Sequence, residues 1–310
     1  MRFSGTMMKL SLALLCSAAF ASGGRAQGAH AHGAHAHGAH ARGYLFIVGG
    51  GPQPPELIQR FFDLAGGKKG KIVVFAMASS EGKQSGEEKA DDLRKLGADA
   101  HAYYVDANEA NSDSMAKHME GLTGVWFGGG DQVLLTKALL GTRVEKAIHD
   151  LYAKGAVIGG TSAGAEVMAN PMLTGEERHQ GGVRSPSDSS DHYMTIARDN
   201  MELVPGFGMI KGVLIDQHFT RRKRHNRFIS VVLETPPHLG AGIDESTALI
   251  VNPDGHWSIL GESVVSIYDA RHATITKVGA PVLGESGLLL SVLPSGSSYY
   301  PATGKVVLPK

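Results

Sequence analysis

A serine set among small residues is the first candidate for covalent chemistry in this chain. Ser162 lies in the segment GGTSAGAEVM, between an apolar run that predicts a strand and a segment that predicts the start of a helix. A tight turn of this kind exposes a serine hydroxyl as a nucleophile, and the first amides of the helix point at the oxyanion of acyl transfer. A serine that only caps the helix is the alternative that the local pattern leaves open.

A serine nucleophile needs a base and a group that orients the base. His218 ends the predicted strand GVLIDQH, so we expect it at the sheet edge as the base. Glu245 follows the next short strand and is the candidate acid, with Asp244 as its competitor. GTSAG also satisfies the G-x-S-x-G pattern of α/β-hydrolases, in which the acid precedes the histidine. His256 would restore that order, but its segment NPDGH predicts a hairpin turn, where a histidine is usually exposed.

A basic segment follows the candidate base. Five cationic residues occupy the seven positions of RRKRHNR, from Arg221 to Arg227. If the segment is helical, Arg221, Arg224 and Arg227 share one face and Arg222 points elsewhere. Arginines near the nucleophile would hold a carboxylate, which favours an acidic substrate such as an aspartyl unit and disfavours the apolar acyl pocket of a lipase or esterase. Asp216 could equally receive a cationic side chain.

Strands and helices alternate from Tyr44 onward, which predicts an α/β fold with a mostly parallel sheet and helices on both faces. Glycine-rich turns follow three predicted strands, at residues 49–51, 128–130 and 159–160. Ligands bind at the carboxyl ends of parallel strands, so we expect these turns on one rim. The first turn, GGGP, lacks the spaced third glycine of a dinucleotide fingerprint, which argues against NAD binding. The later strands AGI, ALIV, WSIL and VVSIYD predict a mixed or antiparallel completion of the sheet.

The composition and the N-terminal sequence limit the classes of partner and the location that are expected. The 310 residues are 42% hydrophobic and carry 30 basic and 30 acidic side chains, so no net field attracts nucleic acid or an anionic membrane. Residues 1–26 have the three regions of a secretory signal peptide, with cleavage expected after Ala21 or Ala26. No later stretch is long enough to span a bilayer, so a soluble secreted or periplasmic protein is expected. The one cysteine, Cys16, lies inside the signal, and Leu15 before it argues against a lipid anchor.

Residues 27–43 form a low-complexity arm built on the repeat Gly-Ala-His-Ala-His. Alanine and glycine supply no core, so a mobile spacer is expected. Its imidazoles could chelate divalent ions adventitiously, but nothing fixes their geometry, and no catalytic metal or other cofactor is expected. These histidines are His30, His32, His35, His37 and His40. The hydrolase domain is predicted at residues 44–276, and a C-terminal extension at residues 277–310.

Several ordered motifs together resemble the cyanophycinases, members of a serine peptidase family that also contains aspartyl dipeptidases. They are GGTSAGAEVM, FGGGDQ, PGFG, DQHF, the arginines after it, and GIDESTAL, within about residues 44–269. The resemblance implies a class I glutamine-amidotransferase-like sandwich and a homodimer. It also implies hydrolysis of cyanophycin, a poly-aspartate backbone with arginine on each β-carboxylate, to β-aspartyl-arginine dipeptides.

The resemblance also implies a role for individual residues. The implied catalytic residues are Ser162, His218 and Glu245, and the implied oxyanion-hole amides are those of Ala163, Gly129 and Gly130. The implied substrate contacts are Gln132, Asp216, Gln217, Arg222, Arg224 and Arg227. The resemblance thus favours Arg222 over Arg221, the residue that regular helical spacing places on one face with Arg224 and Arg227. This difference suggests that the basic segment is not a regular helix throughout.

Two departures from the family pattern keep the natural substrate open. Asparagine is frequent in the family where this chain has Asp131, and the signal peptide and histidine arm are additions to a cytoplasmic form. A secreted dipeptidase of the same family, acting on aspartyl or isoaspartyl peptides, is therefore an alternative. A periplasmic metal-binding protein with an inactive hydrolase core is another, and in it the arm would be the functional part.

Overall fold

The computed structural model describes residues 43–177, 196–280 and 283–310. The predicted signal peptide and the five histidines of the arm lie outside the described residues. The helices are α1 (Pro55–Leu64), α2 (Gly82–Leu96), α3 (Ala107–Ala110), α4 (Asp113–His118), α5 (Gln132–Leu139), α6 (Arg143–Ala153), α7 (Ala163–Glu166) and α8 (His225–Glu234). The strands up to β8 are β1 (Tyr44–Val48), β2 (Lys71–Phe75), β3 (Asp99–Tyr103), β4 (Gly124–Phe127), β5 (Val157–Thr161), β6 (Met172–Glu177), β7 (Met201–Val204) and β8 (Leu214–Asp216). The later strands are β9 (Leu239–Ile243), β10 (Thr247–Val251), β11 (Trp257–Gly261), β12 (Val264–Asp269), β13 (Thr274–Ile275), β14 (Glu285–Ser286), β15 (Leu289–Pro294), β16 (Ser298–Tyr300) and β17 (Lys305–Val307).

The larger sheet orders its strands β17-β16-β11-β10-β1-β5-β4-β2-β3. The strands from β1 to β3 in this order are parallel, and those on the other side of β1 pair antiparallel. Parallel neighbours require a crossover, and the helices between β1 and β5 supply it. The predicted α/β class with a mostly parallel sheet is confirmed.

Strand β1 shows why the sheet is covered on both faces. Leu45 and Ile47 belong to one hydrophobic cluster, which includes side chains of α4, α5 and α6. Phe46 and Val48 belong to another, which includes side chains of α1 and α2. Successive side chains of a strand point to opposite faces, so an unbroken apolar run such as YLFIV is buried on both sides.

The predicted completion of one sheet by four later strands is correct for two of them and wrong for the other two. Strands β10 and β11 do join the larger sheet, but β9 and β12 belong to a second sheet with the order β15-β12-β9-β8. Ile243 and Val265 of the second sheet share a hydrophobic cluster with Leu249 of the larger one, so the two sheets pack together. Apolar patterns report burial and not the partner strand, and the sequence therefore did not separate the two sheets.

The predicted C-terminal extension contributes strands to both sheets. Strand β15 pairs with β12 in the second sheet, and the β16–β17 hairpin extends the larger sheet beyond β11. Across residue 276, β13 also pairs with β14. The boundary drawn there from the sequence does not coincide with a break in hydrogen bonding.

We predict that Phe61→Ala lowers the free energy of unfolding by about 3–5 kcal/mol, because a large cavity replaces the ring. Phe61 is fully buried, and its ring centroid lies 4.9 Å from that of Trp126 and 5.8 Å from that of Phe46. Leu308→Ala is the control, since that side chain is 57% exposed and its removal should cost less than about 0.5 kcal/mol. Urea unfolding of both variants measures the difference, and equal losses would contradict the packing described here.

Candidate active site

Ser162 occupies a strained turn between β5 and α7. Its backbone has φ 53° and ψ −114°, a left-handed φ that non-glycine residues rarely adopt. The flanking glycines permit the turn, because a Cβ on Gly160 would overlap the carbonyl of Gly164, and one on Gly164 would overlap that of Phe127. The amide of Ser162 donates to the carbonyl of Val48 at 3.0 Å, which ties the turn to the central strand. The segment is a sharp elbow, as the small residues indicate.

A chain of hydrogen bonds runs from Ser162 to Glu245. Ser162 Oγ lies 2.8 Å from His218 Nε2, and His218 Nδ1 lies 2.6 Å from Glu245 Oε1. Nδ1 donates to the carboxylate, which leaves Nε2 to accept the serine proton. His218 also has a left-handed φ of 48°, and its amide donates to the carbonyl of Gly49 at 2.6 Å. The arrangement has the geometry of a nucleophile, a base and an orienting acid.

The environment of His218 favours its neutral form. Burial lowers the pKa of the imidazole below its usual 6.5, and the hydrogen bond and negative charge of Glu245 oppose that shift. The positive charges of Arg222 and Arg224 lower the pKa further. A neutral imidazole is the form that can take a proton.

The glycine turn after β1 supports this chain of hydrogen bonds. Gly50 has φ +104°, and a Cβ there would overlap the ring of His218. Gly51 has φ +70°, and a Cβ there would lie 2.8 Å from that of Glu245. The residues of this turn argue against NAD binding, and from the sequence alone the turn had no assigned role. Three consecutive glycines without a dinucleotide fingerprint were the signal that a backbone approaches something closely.

Two of the residues implied as an oxyanion hole, Gly129 and Ala163, lie beside the serine. A Cβ on Gly129 would lie 3.4 Å from that of Ser162 and 3.9 Å from its Oγ. Ala163 begins α7, where an amide has no intrahelical acceptor. Gly130 has φ +135°, and a Cβ on it would overlap the carbonyl of Ala78. Asp131 then caps α5 by accepting from the amide of Val133 at 2.8 Å, a role that asparagine also fills.

A cavity of about 580 Å³ opens at the serine. Four of the implied substrate contacts line it: Gln132, Gln217, Arg222 and Arg224. Asp216 and Arg227 are absent from its lining and only 0% and 1% exposed. They lie behind the cavity wall and not at its surface.

Asp216 and Arg227 form a buried ion pair. Asp216 accepts from Arg227 Nε at 2.7 Å and Nη2 at 2.5 Å, and from Arg224 Nη1 at 3.2 Å. Arg224 Nη1 also donates to the carbonyl of Gln217 at 2.6 Å. Asp216 lies two residues before His218, so the pair holds the start of the segment that carries the base. Of these three charged side chains, Arg224 is the one that lines the cavity.

The basic segment is helical only at its end. Residues 220–224 form turns, and α8 begins at His225, so the helical spacing of the arginines does not apply before that residue. Arg221 Nε lies 4.0 Å from Glu245 Oε2, whereas Arg222 lines the cavity.

The two residues weighed against Glu245 and His218 lie elsewhere. Asp244 accepts from the amide of Arg221 at 3.0 Å and from Ser263 Oγ at 2.8 Å. His256 pairs with Asp254 at 2.5 Å in the hairpin that joins β10 and β11. The hydrogen-bond partners of each residue account for its position without a catalytic role.

Glu166, on the first turn after the serine, was not identified from the sequence. Its side chain is fully buried, and burial beside Asp216 raises the pKa of its carboxyl well above the usual value. A charged residue within the apolar segment AGAEVM was a signal that could have identified it. Glu176 on β6 and Glu202 on β7, which line the cavity, were also not identified from the sequence.

The described residues contain neither a metal-binding cluster nor a membrane-spanning helix. No group of three or more histidine, cysteine or acidic side chains there is arranged to hold a metal ion. None of the helices in that part of the chain combines the length and the apolar run needed to cross a membrane. The five histidines of the arm lie outside the described residues, so neither statement covers them.

The chain is similar in sequence to one peptidase family and in fold to a solved peptidase structure. The model of peptidase family S51 matches residues 45–259. A cyanophycinase of Trichormus variabilis is 32% identical over 79% of this chain and 80% of its own length. A cyanophycinase of Geminocystis herdmanii is 30% identical over 79% of this chain and 87% of its own length. The crystal structure of a peptidase from an acI-B1 Actinobacterium has the same fold, with a TM-score of 0.62 and 23% identity over 84% of this chain and 98% of that one.

We predict that Gly50→Ala displaces the ring of His218, because the new methyl group would overlap it. The hydrogen-bonded Nδ1 proton of His218 should then disappear from, or move within, the downfield region of the proton NMR spectrum. Gly121→Ala is the matched control, since Gly121 also has a positive φ, +73°, but no heavy atom within 4 Å of a Cβ. The same spectral change in both variants would mean that backbone strain, and not the ring contact, is responsible.

Proposed function

The chain belongs to peptidase family S51 and is a serine-type peptidase, and on that basis we propose that it hydrolyses cyanophycin through Ser162, His218 and Glu245. The observation that carries the proposal is the hydrogen-bond chain of 2.8 Å and 2.6 Å at the opening of a cavity lined by arginines. Two curated relatives that match about four fifths of the chain bear the name cyanophycinase.

The proposed reaction begins with attack of Ser162 Oγ on the carbonyl carbon of an aspartyl backbone amide. The serine proton moves to His218 Nε2 as the oxygen–carbon bond forms. The amides of Ala163, Gly129 and Gly130 stabilise the oxyanion of the tetrahedral intermediate. Protonated His218 then gives its proton to the departing amine as the carbon–nitrogen bond breaks. Water, activated by the same imidazole, hydrolyses the acyl-enzyme and restores Ser162. The enzyme acts as an exopeptidase in this proposal, so the net cleavage of a terminal unit releases a β-aspartyl-arginine dipeptide.

Glu245 orients the imidazole and stabilises its charged form. Without the carboxylate, burial and the nearby arginines would make the imidazolium still less favourable, since both lower the pKa of His218. Arg222 and Arg224 offer guanidinium groups to a substrate carboxylate beside the reacting carbonyl. Asp216 and Arg227 are positioning residues in this proposal, because both are enclosed.

The remaining expectations concern where and how the enzyme works. Residues 1–26 favour export, and residues 27–43 are proposed as a dispensable spacer whose metal binding is adventitious. An exported enzyme would meet cyanophycin released by other cells. A homodimer is proposed from the family resemblance alone. No cofactor takes part in the proposed mechanism.

We predict that the acylation rate rises with pH to a plateau whose midpoint lies below 6.5, because the pKa of His218 is lowered and only neutral imidazole accepts the proton. Glu245→Gln removes the group that raises this pKa, so the midpoint should move lower still, and the plateau should fall by roughly 10³–10⁴-fold. Ser162→Ala should abolish turnover. Single-turnover kinetics against pH measures all three, and a midpoint that rises in Glu245→Gln would contradict the assignment of the acid.

We predict that insoluble cyanophycin is degraded to β-aspartyl-arginine dipeptides, identified by mass spectrometry of the soluble products. Free aspartyl and isoaspartyl dipeptides serve as the competing substrates, and activity confined to them would establish the dipeptidase alternative. A chain without residues 27–43 should degrade the polymer at the rate of the full chain. Loss of hydrolysis in that variant would instead give the arm a part in catalysis.

A further inference from the structure

A buried carboxyl group lies close behind the nucleophile in the chain and takes no part in the proposed reaction. Glu166 is the last residue of α7, the short helix that begins with Ala163, and its side chain is 0% exposed. Helix α7 packs against β4, β5 and β8, so the residue is enclosed by elements that carry the site. A buried acidic group at such a place needs a physical account.

The two carboxyl oxygens of Glu166 are both without a hydrogen-bond partner among the described residues. Both are buried, so bulk water does not supply the missing donors. An ionised carboxylate that loses its water and gains no donors is strongly disfavoured, whereas a neutral carboxylic acid loses far less on burial. The burial and the missing donors therefore favour the protonated form of this side chain.

The charged groups around Glu166 do not reverse this preference. Burial raises the pKa of its carboxyl well above the usual 4.5, and the negative charge of Asp216 on β8 raises it further. The positive charges of Arg227 and Arg224 and the backbone amide of Leu173 act in the opposite direction but do not restore the usual pKa. Strands β4 and β5, which also pack against α7, contain no titratable side chain.

The charge of Glu166 bears on the neighbouring cluster of Asp216, Arg224 and Arg227. Asp216 accepts from Arg227 Nε at 2.7 Å and Nη2 at 2.5 Å, and from Arg224 Nη1 at the longer distance of 3.2 Å. These three side chains together carry one surplus positive charge. A protonated Glu166 leaves that charge in place, whereas an ionised Glu166 would offset it. Arg224 is the member that lines the cavity, so the surplus charge acts there.

We infer that Glu166 is a positioning residue that stays protonated in the folded enzyme and thereby leaves the positive charge of Arg224 available to the substrate carboxylate. The inference rests on the proposed function for the substrate carboxylate, but not for the protonation itself. An ionised carboxyl at this position would compete with the substrate for the guanidinium. The base is affected in the same way, because the positive charge of Arg224 also lowers the pKa of His218 and so favours the form that accepts the serine proton.

The protonation is tested by urea unfolding of wild type and Glu166→Gln at pH values above 4.5, the usual pKa of the carboxyl. There the unfolded chain loses the Glu166 proton and the folded chain keeps it, so stability is lost as the pH rises. The equilibrium constant of unfolding of wild type should therefore increase about tenfold per pH unit relative to that of Glu166→Gln. New contacts of the amide would shift every point equally and leave this slope unchanged. The infrared difference spectrum of the two proteins should contain the carbonyl stretch of a protonated carboxyl.

The role of the charge is tested by KM on whichever substrate wild type cleaves. The slope in unfolding should level off at the pH where folded Glu166 ionises, and from that pH the KM of wild type should rise about tenfold relative to that of Glu166→Gln, as the charge available at Arg224 is offset. Glu120→Gln, at an exposed position, is the control for loss of a carboxylate and should unfold with the pH dependence of wild type.

Three results would overturn the inference and leave the proposed function standing. They are an equal pH dependence of unfolding in wild type and Glu166→Gln, the absence of the carboxylic-acid band, and a KM roughly tenfold lower in Glu166→Gln already at neutral pH, which would mean that the wild-type carboxyl is charged. Cleavage of dipeptides only would overturn the polymer assignment. It would leave the inference intact, because the unfolding and infrared measurements need no substrate.

Discussion

The hydrogen bond between Ser162 and His218 joins side chains that come from two different sheets. Ser162 follows β5 of the larger sheet, and His218 follows β8 of the second. Their 2.8 Å separation therefore depends on how the sheets pack on each other. Glu245 lies on the short connection from β9 to β10, where the chain passes from the second sheet into the larger one. Each member of the hydrogen-bond chain thus has its position set by the contact between the sheets.

Backbone hydrogen bonds at the turn after β1 hold this junction. The carbonyl of Gly49 accepts from His218 at 2.6 Å, and the amide of Gly49 donates to Thr247 at 3.0 Å. The carbonyl of Gly50 accepts from Ser246 at 2.9 Å. These bonds require a backbone that approaches two chain segments at once, and glycine permits that approach. The buried Asp216–Arg227 pair acts on the other side of His218. Such pairs seldom add net stability, but their geometry restricts the conformations that the segment can adopt.

The sequence was informative where local chemistry decides the structure. Small residues around Ser162 predicted the elbow, and the end of an apolar strand predicted a position for His218 at the sheet edge. The sequence was uninformative where the position of a segment depends on which other segment it pairs with. The strand ALIV and the strand VVSIYD have similar patterns but join different sheets, because burial alone does not encode a pairing. Helical spacing failed for Arg221, since the residues before α8 form turns whose backbone hydrogen bonds run from Arg222 to His218 and from Arg224 to Phe219. Glu176 and Glu202 gave no sequence signal, because only the fold brings their strands to the wall of the cavity.

The position of β1 determines when this site can form. Leu45 pairs with Ile158 on one side and with Val251 on the other, so the first described strand finds its neighbours more than a hundred and about two hundred residues later. Contacts so distant in the chain must overcome a large loop-closure entropy before they stabilise anything. The turn that supports His218 consequently depends on non-local contacts, because Gly49 bonds with His218 and Thr247. A fragment of this chain that ended before β8 would contain Ser162 and its elbow, but it would lack both His218 and Glu245.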